Sequence, residues 1–173
     1  MKTLYLIGGT MGVGKTTLGQ YMKMHLENAV YLDGDWCWDS HPFVVNDTTK
    51  AMVMNNICFL LNSFIDSDCY ENIIFTWVMH QQEIIDEIIS KLHLDDVNVK
   101  CISLVCDEQT LQNHILKDVN ENKRDIEVLS RSIERLPLYE KLNTTLIQID
   151  GLTLDEIMKK CQLDWVGILL YLV

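Results

Sequence analysis

Residues Gly9-Thr10-Met11-Gly12-Val13-Gly14-Lys15-Thr16 fit the phosphate-loop pattern G-x-x-x-x-G-K-[ST] at every constrained position, and no other stretch restricts the fold as tightly. Such a loop needs a strand before it and a helix after it, so that its backbone N–H groups are aimed at an anion from a fixed position. Both are legible. Thr3-Leu4-Tyr5-Leu6-Ile7-Gly8 is a continuous apolar run of the kind a fully buried parallel strand shows, and Leu18, Tyr21, Met22 and His25 recur at helical spacing. Glycines without a Cβ let the backbone curl around phosphate oxygens, and the helix N-terminus adds a partial positive charge. Lys15 is expected to reach the β- and γ-phosphates of a nucleotide and Thr16 to help hold Mg²⁺, with Thr17 completing the cradle.

Charge and composition narrow what the loop serves. The chain has 173 residues and a formal net charge of −11, which argues against nucleic acid or an anionic membrane surface as a partner. A hydrophobic fraction of 48% indicates one globular domain over residues 1–173, with no repeat, linker or low-complexity segment. The three arginines, Arg124, Arg131 and Arg135, all fall in one short segment far from the loop. Six cysteines show no C-x-x-C pair and several sit in apolar runs, which points to structural thiols in a reducing cytoplasm. Met1-Lys2-Thr3 leads straight into the first strand, unlike a cleavable signal peptide, and the longest uncharged apolar segment, Trp165 to Val173, is too short to span a bilayer.

Strands and helices alternate along the rest of the chain. Ala29-Val30-Tyr31-Leu32 reads as a second strand ending in Asp33-Gly34-Asp35. Asn46 or Asp47 can cap a helix to about Ile65 that is apolar nearly all round through Met52, Val53, Ile57, Phe59, Leu60, Leu61 and Phe64, and is therefore buried or covers a cleft. Further strands are expected at residues 72–78, 99–106 and 145–150. Ile84, Ile85, Ile88, Ile89 and Leu92 stripe one helix, Asp107 caps the next, and Thr153-Leu154-Asp155-Glu156 has capping-box form. This alternation implies a three-layer α/β fold, a five-stranded parallel sheet covered by helices on both faces.

Tyr31-Leu32-Asp33-Gly34-Asp35-Trp36 resembles the Asp-x-Asp stretch after the second strand of the P-loop small-molecule kinases, the gluconate, shikimate and adenylylsulfate kinases and, more distantly, chloramphenicol phosphotransferase. The resemblance spans residues 1 to about 163. It implies a nucleotide-kinase-like fold of the P-loop superfamily, ATP and Mg²⁺ as cofactors, a substrate-binding segment after the second strand, and an arginine-bearing lid between the fourth and fifth strands. The function expected from it is transfer of the γ-phosphate of ATP to a hydroxyl of a small molecule, with a nucleoside or nucleotide kinase as the nearest alternative. A non-catalytic nucleotide-binding regulator is the more distant one.

The residues fit that chemistry. In-line phosphoryl transfer needs an oriented acceptor, a proton acceptor and cations on the moving group. Asp33, close to Thr16 across adjacent strand ends, would order Mg²⁺ or accept the proton, and Asp35 and Trp36 would meet the acceptor. The plainer alternative is that Asp33 caps a turn. Arg124 and Arg131 are the candidate lid cations over residues 120–136, ahead of Arg135; the alternative is a solvated helix with arginines paired to its acids. The third strand runs out through Trp77-Val78-Met79-His80 without the metal-binding Asp that many phosphate-loop enzymes place there. Asn122-Lys123-Arg124-Asp125 matches the guanine-reading N-K-x-D of GTPases but does not directly follow an apolar strand, and the match is read as chance. The apolar tail 165–173 is taken as packed against the domain, with an edge strand or a homodimer contact as alternatives.

Overall fold

Lys2–Gly8 forms β1, the central strand of a sheet in a computed structural model that describes residues 1–121 and 125–163. The other strands are β2 (Ala29–Asp33), β3 (Asn72–Thr76), β4 (Val97–Val105) and β5 (Thr145–Gln148), all parallel in the order β2-β3-β1-β4-β5. Helices α1 (Lys15–His25), α2 (Asp47–Ile65), α3 (Gln82–Ser90), α4 (Glu108–Asn120), α5 (Val128–Arg135) and α6 (Leu154–Gln162) connect or follow them, with 3₁₀ turns at Gly34–Cys37 and Leu136–Lys141. The expected five-stranded, three-layer architecture is what the chain adopts.

Period-two alternation on β1 divides the core. Tyr5 and Ile7 pack with Leu18 and Met22 of α1, Leu111 and Ile115 of α4, and Ile157 and Met158 of α6, while Leu4 and Leu6 pack on the opposite face with Val53, Ile57 and Leu61 of α2 and Ile85 and Ile88 of α3. Both faces of β1 are therefore buried, which is why its sequence is apolar without a break; each fully buried aliphatic side chain contributes about 1.5–3 kcal/mol. Helix starts follow the caps. Asn46, not Asp47, caps α2, exchanging bonds with Thr49 at 2.9 and 3.0 Å, and the Asp107 carboxylate accepts the Thr110 N–H at 2.6 Å.

Two expectations change. α2 is not buried all round: Val53, Ile57 and Leu61 face the sheet, whereas Met52 is 42% and Phe59 72% exposed. The second strand is not the neighbour of the first, because β3 lies between them. That order creates a crevice. After β1 the chain turns to α1 on one face, after β3 it turns to α3 on the other, and the gap left between the two strand ends is where open α/β sheets bind ligands.

Close approach of α1 to β2 is set by Gly19, where an added Cβ would stand 2.3 Å from Cε2 of Tyr31. Alanine ordinarily strengthens a helix interior by about 1 kcal/mol over glycine. Overpacking costs typically 1–3 kcal/mol, so Gly19→Ala is expected to lower the thermal unfolding midpoint, measured by circular dichroism.

Candidate active site

The loop between β1 and α1 is held in shape by its own glycines, by one local contact and by two long-range ones. Gly12 (φ 86°) and Gly14 (φ 100°) occupy the left-handed region, and a Cβ at Gly12 would lie 2.6 Å from Cγ1 of Ile115. Gly9 begins the loop, Met11 is half-buried, and Val13 plugs into the core. Lys15 is buried and its ammonium donates to the Thr10 carbonyl at 2.9 Å. Thr16 and Thr17 are exposed at the start of α1. His114 of α4 reaches the Gly12 carbonyl at 3.1 Å through Nδ1, which must carry a proton to do so because a carbonyl only accepts.

The third contact joins the loop to α5. Pro137 has no N–H for the Ile133 carbonyl; the Leu136 N–H turns back to Ile133, and the Ser132 carbonyl accepts the Thr10 hydroxyl at 3.0 Å instead. Thr10 and Ser132 are both fully buried. The C-terminal part of the expected lid, α5, is thus anchored to the phosphate loop, and α4 ends at Asn120, where the lid is expected to begin.

At the end of β2, Asp33 is 6% exposed and its carboxylate is surrounded by donors. Oδ2 accepts the Thr16 hydroxyl at 2.9 Å and the Tyr31 hydroxyl at 2.8 Å, and Oδ1 accepts the Asp35 N–H at 3.1 Å. Tyr31 in turn is 2.8 Å from Oγ1 of Thr76, the last residue of β3, whose backbone is in register with both Asp33 and Ile7. Burial pushes the Tyr31 phenol well above the usual tyrosine range, opposed by the Thr76 hydrogen bond and reinforced by the Asp33 charge. Thr16 and Asp33 therefore do meet, but over the end of an intervening strand.

Asp35 and Trp36 sit in the 3₁₀ turn that follows, Trp36 58% exposed with its ring edge-on to Tyr31 at 5.3 Å. Asn56 of α2 fastens this turn through the Cys37 carbonyl at 3.2 Å. Of the candidate lid arginines, Arg124 lies outside the described residues and Arg131 is exposed on α5. Arg135, one turn beyond Ser132 on the same helix face, is half-buried and acts on two groups at the site. Burial and then the Arg135 charge pull the His80 imidazole toward its neutral form, and burial pushes the Tyr139 phenol up while Arg135 opposes it. Tyr139 is fully buried, and its hydroxyl lies by the Gly9 backbone, which also opposes the upward shift. The apolar tail 165–173 also lies outside the described residues.

On the other side of the loop a cavity of about 480 Å³ runs from Gly12–Leu18 to the turn after β5, walled by Ile149, Gly151, Leu152 and Leu154 and by Thr110, His114 and Lys117 of α4. Asp150 braces this wall. Partial burial raises its carboxyl, but hydrogen bonds from Thr110, the Asp107 N–H and Gln148 outweigh that and hold it below the usual range. A pocket with apolar walls at one end and a phosphate loop at the other suits a nucleotide. The donor set also fits Mg²⁺. Thr16 offers a hydroxyl and Asp33 one carboxylate, and no cluster of three acidic, histidine or cysteine ligands exists among the described residues. Such a sparse set suits an ion that keeps most of its waters and takes the rest of its ligands from phosphate.

Parallel order, switch-point crevice and phosphate loop together define a P-loop kinase fold. A family model described as AAA domain matches residues 6–135, and the chain belongs to that family. Among solved structures it superposes on the tunicamycin resistance protein of Deinococcus radiodurans at 15% identity and a TM-score of 0.68, over 93% of this chain and 94% of that one. A gluconokinase from Sinorhizobium meliloti aligns at 15% identity and 0.66 over 92% and 89%, and the shikimate kinase of Acinetobacter baumannii, solved with shikimate, at 18% and 0.60 over 92% and 90%. No curated protein matches the chain by sequence. All six cysteines are free thiols, and no helix among the described residues is long and apolar enough to cross a membrane.

Sequence reading missed Tyr31, Thr76 and Ser132. The first two had faint signals: Tyr31 shares a strand face with Asp33 at i, i+2, and Thr76 is the one hydroxyl in an apolar strand. Ser132 had none. Thr10→Val would leave its carbonyl buried without the hydroxyl donor, and urea denaturation should register a loss of about 1–3 kcal/mol, largely recovered in Thr10→Ser.

Proposed function

We propose that the protein transfers the γ-phosphoryl group of ATP, with Mg²⁺, to a hydroxyl of a small molecule. The observation that carries this reading is the Thr16–Asp33 hydrogen bond at 2.9 Å, which joins the phosphate loop to the strand end where an acceptor would lie. Mg²⁺, when bound, supplies charge neutralisation on the phosphates. Lys15 leaves the Thr10 carbonyl for the β- and γ-phosphates, and the loop amides take the remaining oxygens. Three donors already occupy Asp33, so its role is to orient Thr16 and the metal's water shell. Asp35 then holds the acceptor hydroxyl and takes its proton as the oxygen attacks phosphorus and ADP departs, with Trp36 as an aromatic wall beside it. Arg124, Arg131 and Arg135 are the cations available to close over the transferred group, Arg135 being supported by its charge at His80 and Tyr139.

ADP release across sugar acids, nucleosides, nucleotides and aminoglycoside- or chloramphenicol-like alcohols tests the reading. One acceptor class should raise turnover, Lys15→Ala should reduce kcat by on the order of 10²–10³-fold, and Asp35→Asn should lower kcat with that acceptor while ATP affinity stays unchanged. Tight ATP binding with no acceptor response would replace the kinase by a nucleotide-binding regulator. Turnover confined to nucleosides or nucleotides would make it a nucleoside or nucleotide kinase.

A further inference from the structure

β3 lacks the carboxylate that phosphate-loop enzymes often place near the metal, and what stands there is a hydroxyl, fully buried, on Thr76. Its partners form an ordered chain whose direction follows from proton counting. Asp33 as a carboxylate can only accept, so Tyr31 donates its single proton to Oδ2 at 2.8 Å. The Tyr31 oxygen is then left to accept, and Thr76 must be the donor across the second 2.8 Å contact. Thr16 donates to the same Oδ2 at 2.9 Å, so its proton points at Asp33 and its lone pairs point elsewhere. The Tyr31 ring has little freedom to leave this position: it is 6% exposed and seated on Gly19 with no room for a Cβ between them.

We propose that Tyr31 and Thr76 are positioning residues whose relay, Thr76 to Tyr31 to Asp33, locks the Asp33 carboxylate where it accepts the Thr16 hydrogen bond and so presents the Thr16 oxygen to a divalent cation. The relay does the work of a further carboxylate on β3 without adding a third negative charge beside Asp33 and Asp35. Like-charge neighbours so close would repel, whereas hydroxyl donors stabilise the carboxylate they surround. Neither residue lines the cavity beside the phosphate loop; each acts through Asp33.

The inference rests on the phosphotransferase reading, and calorimetry separates the two. A non-hydrolysable ATP analogue is titrated into wild type, Tyr31→Phe, Thr76→Val and Thr76→Ser, once with Mg²⁺ and once with EDTA. Tyr31→Phe keeps the ring on Gly19 and removes only the hydroxyl. Expected is a roughly 10- to 100-fold loss of the affinity gained from Mg²⁺ in Tyr31→Phe and Thr76→Val, unchanged affinity in EDTA, and a near wild-type gain in Thr76→Ser. Equal losses with and without Mg²⁺ would mark the hydroxyls as merely structural, and an undiminished gain in both variants would remove the relay while leaving the kinase reading intact. A wild type with no Mg²⁺-dependent gain would take both down. Should Tyr31→Phe not fold, the Thr76→Val and Thr76→Ser pair decides by the same criterion.

Discussion

A carboxylate that is almost wholly out of solvent has to be surrounded by donors, and in this chain that demand organises the site. Asp33 draws in Thr16 from α1, Tyr31 from its own strand and the Asp35 amide from the turn beyond. Satisfying Tyr31 in turn recruits Thr76 from β3. Three stretches far apart in sequence, at Thr16, at Tyr31 to Asp35 and at Thr76, are thereby brought to one point, at the crevice where the chain leaves the sheet in opposite directions. The arrangement is polar where chemistry needs it and sealed beneath by the packing of Tyr31, Leu18 and Met22.

The phosphate loop shows the same economy of anchors. Its glycines permit the curl, but permissive residues do not by themselves choose a shape. Lys15 and His114 fasten the loop's carbonyls, and the Thr10 hydroxyl ties it to α5. The Thr10–Ser132 bond is buried at both ends, so the helix that carries Arg131 and Arg135 is coupled to the loop. Electrostatically this keeps Arg135 near His80 and the buried Tyr139 beside the loop, in a chain whose net charge is otherwise strongly negative.

Much of the fold was legible because its signals are local. A buried parallel strand must be apolar on both faces, a helix must start with a cap, and a phosphate loop must join the two, so β1, α1, α4 and α6 could be read within a residue or two. The candidate site was legible in part: the sequence singles out Lys15, Thr16 and Asp33, and Thr16 and Asp33 do meet. The all-round apolarity of α2 misled, since composition does not reveal which face a helix turns to its sheet, and Met52 and Phe59 ended outward.

By itself the sequence determined the phosphate loop, the βα alternation and hence a parallel sheet with two covered faces, because each depends on residues within one turn or one strand of each other. Only the tertiary structure decided that β3 inserts between β1 and β2, that Thr76 and Tyr31 therefore complete the Asp33 site, and that Arg135 shares the face of Ser132 that meets the loop. Those outcomes depend on crossover connections and on contacts between residues as far apart as Thr10 and Ser132, which no short window of sequence contains.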